Sequence, residues 1–289
     1  MDDIDWKRTV FVLIAPDALA RHLSAEIIDW LARIGFKPVG WKVLWQRPAG
    51  LDAFHEQNIT QAWQAYLYRL VDRLFGFGPT VALLVEDATS VTGVTSHDRL
   101  RQVKGASEPA DAPAGTIRAD LESINAMLAL MHSADTPADS QRESAVFSGS
   151  AGFHRGDPTE LTTVLGLLEL AAPPEHRGYD AVLAGLRTRI VAVLWDELSP
   201  AGRGQVRIAQ EKGVSGLAAP ELGAELVELL PQADHPLAPV LQCEFHAGAA
   251  GVDLEQVRYL LRAYGTDLDP WEDLVLATSM RFPPRRTGR

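Results

Sequence analysis

The sequence predicts an α/β sandwich over residues 1–149 followed by an all-α domain over residues 157–289. Three observations predict it. Short continuous apolar runs alternate with helical spacings up to residue 149, the pattern of strands buried on both faces with helices laid across them. Gly149 to Gly156 (GSAGFHRG) then has the composition of a linker. Beyond it strand signals nearly vanish and helix-start signals multiply.

Taken in order, Thr9 to Ile14 (TVFVLI) is a first strand. Leu19 to Ile34 follows as a helix, with Leu23, Ile27, Ile28, Leu31 and Ile34 on one face and Gly35 as its stop. Val39 to Trp45 is a second strand, Asn58 to Phe75 one or two helices, and Thr80 to Val85 a third strand introduced by Gly78-Pro79. His97 to Val103 forms a short helix. Lys104 to Gly115 is a long loop, and long ordered loops in compact domains are commonly functional. Ala126 to His132 is a last strand and Pro137 to Phe147 a helix. In the second half helices are expected over 158–171, 179–196, 200–212, 220–230, 236–246 with 253–264, and 270–281. Asp157-Pro158-Thr159-Glu160 and Asp269-Pro270-Trp271-Glu272 each combine an N-cap, a proline in the first turn and a capping-box glutamate. The Pro-rich basic tail, Arg281 to Arg289, is expected to fray.

The 289 residues suffice for two ordinary domains, and 46% of them are hydrophobic, enough for a sizeable core. A net charge of -11 argues against a dedicated nucleic-acid surface, while leaving room for a nucleotide site that needs only a few local cations. The single cysteine, Cys243, excludes an intrachain disulfide and suits a reducing cytoplasm. MDDIDWKRTV lacks the basic and apolar regions of a signal peptide, and no run reaches membrane-spanning length, so a cytoplasmic protein without membrane contact is expected.

Several segments carry candidate chemistry. The first strand runs into Leu13-Ile14-Ala15-Pro16-Asp17-Ala18. Gly115-Thr116-Ile117-Arg118-Ala119-Asp120 lies in the middle, with Arg101 placed 17 residues before Arg118 and Ser107 between them. Met131-His132-Ser133-Ala134-Asp135-Thr136 follows, and Glu143 comes eleven residues after His132. In this order and at these spacings, residues 7–149 resemble a nucleoside diphosphate kinase domain. The resemblance implies that family's ferredoxin-like α+β sandwich. It implies further that His132 is the phosphate-carrying histidine and that Glu143 hydrogen-bonds its ring. Arg101, Arg118 and Ser107 would be phosphate ligands, Mg2+ would arrive on the nucleotide, and the chain would form a homo-oligomer. Elementary chemistry agrees with such a site. A neutral imidazole attacks phosphorus through one nitrogen if the other is held by an acceptor. Guanidinium forks neutralise phosphate oxygens. Magnesium bridging phosphates through water needs no carboxylate cluster.

The departures from the family pattern are specific. Ala15 stands where the family has a lysine, Ala129 where it has an asparagine, and Ala134 where it has a serine. The interval from Arg118 to His132 is one residue longer, and the stretch after His55 about three longer. There Glu56 falls at the family's tyrosine, and Trp63 or Tyr66 is the candidate stacking face for a base. Losing one preorganised donor at a transferring phosphate costs roughly 2.7–4 kcal/mol, a factor of about 10²–10³ in rate. Replacement cations are available at Lys7, Arg8, Arg21 and Lys104.

Each of these residues also has a blander reading. His132 could persist by descent alone, Arg101 and Arg118 could be solvated or structural, and Ser107 is one serine in a polar loop. Asp135 reads as a turn residue and Asp17 as a helix N-cap. His22, His55, His97, His154, His176, His235 and His246 show no paired spacing. Cys243 with His246 makes at most half a zinc site. Trp195 and Trp271 read as core anchors. The expected function is a divergent phosphotransferase acting on a nucleotide or nucleotide-like acceptor. The alternative is an impaired nucleotide sensor or scaffold, with the helical domain binding a protein partner.

Overall fold

The structure, a computed structural model, describes residues 4–55, 65–89, 93–149, 152–171, 177–230, 235–246 and 253–286. The chain divides into two compact units, residues 1–176 and 177–289.

The first unit is built on β1 (Thr9–Ile14), β2 (Phe36–Leu44), β3 (Thr80–Asp87) and β4 (Met131–Ser133). They form one antiparallel sheet in the order β2-β3-β1-β4, the arrangement of a ferredoxin-like sandwich. The helices are α1 (Pro16–Ala20), α2 (Ser24–Arg33), α3 (Pro48–Phe54), α4 (Ala65–Phe77), α5 (Ser96–Lys104), α6 (Ile117–Asp120), α7 (Pro137–Ser148) and α8 (Pro158–Ala171). Every residue of β1 is buried, as its unbroken apolar run requires. Side chains alternate between the sheet's faces. Val10, Val12 and Ile14 join Val81, Leu83 and Val85 of β3 in a core with Ile27 and Leu31 of α2. Phe11 turns the other way and meets Phe147 of α7, their ring centroids 5.3 Å apart.

Four details differ from the expectation. The helix expected over Leu19 to Ile34 is two helices, because His22 takes a left-handed φ of 55° between α1 and α2. The last strand is shorter than Ala126 to His132, because Leu130 also has a left-handed φ, 69°, which ends extended pairing on that side. The segment after Gly149 is pinned to the sheet rather than hanging as a linker. Trp41 and His154 exchange both backbone hydrogen bonds, at 2.9 and 2.8 Å. Lastly α8, expected to open the helical domain, packs within the first unit. Its Leu161 and Leu165 enter the core of β1, β3 and α2, and its Glu169 accepts from the Ser24 backbone N–H at the start of α2. The capping box expected at its start is also different. Asp157 does accept from the Thr159 N–H, but Glu160 lies 2.7 Å from His154 Nε2.

The second unit is helical throughout its described residues. It comprises α9 (Tyr179–Val193), α10 (Pro200–Glu211), α11 (Val214–Leu217), α12 (Pro220–Glu228), α13 (Ala238–Gln242), α14 (Leu254–Ala263) and α15 (Pro270–Ser279). Ser199 caps α10, and Asp269 with Glu272 completes the predicted capping box of α15. Trp271 is buried, and its indole N–H donates to the Arg177 carbonyl. Within the tail expected to fray, Arg286 pairs with Asp180 at 2.7 Å and Glu244 at 2.5 Å. Cys243 is buried, which pushes its thiol up. No helix among the described residues is long and apolar enough to cross a membrane.

Candidate functional site

The site is assembled around β4, a three-residue edge strand fixed on both sides. On the inner side Leu13 of β1 pairs with His132, and the Ala15 N–H donates to the Leu130 carbonyl. The Pro-Asp turn after β1 adds a second tie. Asp17 is completely buried, and its Oδ2 accepts from the Leu130 N–H at 2.9 Å. It is therefore not the N-cap of α1, whose cap position is Ala15. It holds the left-handed residue one step before the histidine strand. Such a backbone position costs about 1–3 kcal/mol and persists only where its surroundings enforce it. Burial raises the Asp17 carboxyl to about 6, against the opposing pull of the Leu130 hydrogen bond and of Arg21.

Two cations close the outer edge. Arg118 on α6 is buried and spreads its guanidinium over three carbonyls: Nε to Ala129 O at 3.0 Å, Nη1 to Gly105 O at 3.0 Å and Nη2 to Met131 O at 2.7 Å. Lys104, the last residue of α5, is also buried, and its ammonium donates to Ser133 O at 3.3 Å. The exposed edge of a strand, with its unpaired carbonyls, is thereby covered by side chains in place of a neighbouring strand. Burial depresses both groups, Arg118 to about 10 and Lys104 to about 8.

His132 projects from this strand with its side chain 37% exposed. Its Nε2 lies 2.8 Å from Glu143 Oε2, on α7. Glu143 is buried, and its other oxygen accepts from Arg142 Nη2 at 3.0 Å. With the carboxylate as acceptor, the imidazole carries its proton on Nε2 and presents Nδ1 as the free lone pair. The ring also packs edge-on to Phe54 of α3, centroids 5.0 Å apart at 83°. Next to Phe54, His55 is held down to about 4 by burial, then by the charges of His132 and Arg142. Asp135, just past β4, is exposed.

The sequence-predicted residues therefore fare differently. His132 and Glu143 meet. Arg118 lies directly behind β4, but three of its five N–H donors are committed to carbonyls, so it does not present a complete free fork. Arg101 is exposed and paired to Asp98 at 2.6 Å, while its charge still reaches Lys104. Ser107 is exposed in the loop after α5. Glu56 and Trp63 lie outside the described residues, as does the side chain of Tyr66. Of the other cations, Arg8 donates to the Asp87 carbonyl, Arg21 to the Glu122 carbonyl, and Lys7 is exposed. Sequence reasoning missed Phe54 and Arg142. The position of Arg142, beside Glu143 in a Pro-initiated helix, was the one available signal.

A family model described as nucleoside diphosphate kinase matches residues 8–151. The nucleoside diphosphate kinase of Archaeoglobus fulgidus is 33% identical over 138 residues, covering 47% of this chain and 83% of that protein. The chain belongs to the nucleoside diphosphate kinase family. The kinases of Pyrococcus horikoshii and Deinococcus radiodurans are each 30% identical, over 145 and 139 residues. These matches cover 50% and 48% of this chain, and 85% and 93% of the relatives. The family's fold accounts for the four-stranded antiparallel sheet with its helices. The family region ends at residue 151, and the helix-rich remainder lies outside it.

Proposed function

We propose that the chain is a phosphotransferase that carries a phosphoryl group on Nδ1 of His132. The observation that carries this reading is the 2.8 Å contact between His132 Nε2 and Glu143 Oε2 on a part-exposed ring. It leaves one nitrogen as nucleophile and the other as anchored donor. In the first half-reaction the Nδ1 lone pair attacks the γ-phosphorus of a nucleoside triphosphate. The bond from that phosphorus to the bridging oxygen breaks, and the nucleoside diphosphate leaves. Glu143 meets the positive charge that develops on the ring. In the second half-reaction an acceptor oxygen takes the phosphoryl group and restores the free imidazole. Ala15, Ala129 and Ala134 remove polar groups that the family pattern carries, which favours a specialised nucleotide or nucleotide-like acceptor over general nucleotide exchange.

Among the described residues no group of three or more His, Cys, Asp or Glu could hold a metal. The donors behind β4 are cationic instead. This fits Mg2+ carried by the nucleotide phosphates, with exposed Asp135 as the nearby carboxylate. When bound, the ion would neutralise phosphate charge. Arg118, through its remaining donors, and Arg101 and Ser107 from the loop side are the proposed phosphate contacts.

Incubation with γ-labelled ATP and Mg2+ tests the proposal. Acid-labile, base-stable label on the wild type, absent from His132→Ala, is expected. An unlabelled wild type, or equal labelling of the variant, contradicts it. A second reading, nucleotide binding without turnover, is favoured by the engagement of Arg118 with carbonyls. Calorimetry with ADP and GDP on an unlabelled protein would support it, and no binding at millimolar concentration would exclude it. A homo-oligomer is proposed for the family domain, with a protein partner for the helical unit, and light scattering with partner capture tests both.

A further inference from the structure

The position of Ala15 leaves the site without a lysine after β1, yet a different lysine lies buried against the histidine strand. Lys104 closes α5, and its ammonium sits behind β4 with a single hydrogen bond among the described residues, to the carbonyl of Ser133. An ammonium has three donors, so two are left for an anion or for water. A buried ammonium is ordinarily neutralised by a carboxylate in contact, because removing it from water is expensive. Here no carboxylate lies within ion-pair distance among the described residues.

We infer that Lys104 is a positioning residue for phosphoryl transfer at His132, fixing the outer edge of β4 through Ser133 and supplying the positive charge that Ala15 no longer provides. The inference rests on the proposed phosphotransfer at His132. The charged groups that face Lys104 come from several elements. Arg101 on its own helix and Arg118 on α6 oppose its charge, while Asp135 after β4 and Glu143 on α7 favour it. β1, which also packs against α5, contributes no charged residue. Of these influences burial is the largest, followed by Arg118, and together they bring the ammonium to about 8. Charge at this position is therefore present at neutral pH and lost just above it. An exposed lysine would hold its charge well beyond that range.

The test uses the full-length chain with Lys104→Met and Lys104→Arg, each checked by thermal melting. Phosphohistidine formation from Mg-ATP is followed between pH 6 and 10, and the His132 imidazole is titrated separately by NMR. In the wild type the labelling rate is expected to fall as pH rises through about 8. Lys104→Met is expected to label about ten- to a hundredfold more slowly and to lack that fall. Lys104→Arg is expected to keep most of the rate and to move the fall to higher pH. In the NMR arm, removing a nearby cation should raise the His132 midpoint in Lys104→Met and leave it close to wild type in Lys104→Arg. A folded Lys104→Met that labels at the wild-type rate with the same alkaline fall overturns the inference. Should the wild type carry no label, the phosphotransfer proposal fails. The NMR arm then decides the placement of Lys104, and an unmoved His132 midpoint overturns it.

Discussion

Buried cations occur in both units, in opposite company. In the helical unit Arg187 is fully buried, and its guanidinium meets the carboxylate of Glu244 as well as the carbonyls of Leu241 and Ala219. Glu272 is equally buried and takes Arg177 at 2.8 Å and Arg189 at 2.8 Å. Each charge there has an opposite charge in contact. In the first unit Arg118 and Lys104 touch carbonyls only. A buried cation paired with a carboxylate is a finished structural element. One held by carbonyls alone keeps its charge for something that arrives later. The contrast fits the phosphate contacts proposed at β4 and gives Arg187 a structural pairing.

The contrast can be broken by substitution. The largest effect is expected from Arg187→Met, which leaves Glu244 short of a partner and the carbonyls of Leu241 and Ala219 without their donor. It should destabilise that unit by about 3–5 kcal/mol, read by calorimetry as an earlier melting transition. Little change in melting would mean that the pairing in the second unit is not structural. Next comes Glu143→Gln, which keeps an acceptor for His132 but removes the charge. Labelling should fall about tenfold to a hundredfold with unchanged melting. An unaffected rate would separate Glu143 from the chemistry.

Lys104→Met should do the reverse of Arg187→Met and stabilise the protein at pH 7. The folded-state value of about 8 lies below the ordinary 10.5, so the unfolded chain holds this proton more firmly. The wild type therefore bears the full cost below pH 8, about 3 kcal/mol. That cost disappears as pH climbs towards 10.5. The unsatisfied Ser133 carbonyl in the variant takes back about 1 kcal/mol. Urea denaturation at pH 7 and pH 10 should show a gain that shrinks with pH, and a loss at both values would give Lys104 a purely structural role. A gain of similar size with the opposite pH dependence is expected from Asp17→Asn. The Asp17 carboxyl is raised to about 6, so the folded chain holds that proton more firmly, and stability falls as pH rises from about 4 to 6. The amide should gain about 3 kcal/mol above pH 6 and nothing below pH 4. The same melts at pH 4 and 7 decide it.

Much of the frame was legible in the sequence, and each failure has a physical cause. TVFVLI and TVALLV announced buried strands because no polar residue interrupts them, and Pro-initiated helices declared their own starts at α7, α10 and α15. The eleven-residue interval from His132 to Glu143 was readable through the family resemblance, and the two side chains do meet. The placement of α8 was not readable. The apolar face of Leu161 and Leu165 has the same period whichever core receives it. Nor was the break at His22, since a histidine in the left-handed region leaves no mark in the hydrophobic pattern. Arg118 matched its motif, but a motif says nothing about where five donors point. Lys104 read as the first residue of a loop and as one of four candidate replacement cations, with nothing in the sequence to single it out. Only the closeness of α5 to β4 reveals that it is buried.

The most direct test of the account is the identity of the phosphorylated atom. After reaction with Mg-ATP, 31P NMR and peptide mapping distinguish the two ring nitrogens of His132. Because Glu143 engages Nε2, the account predicts phosphate on Nδ1 of His132. Phosphate on Nε2, on another residue, or on none would contradict it.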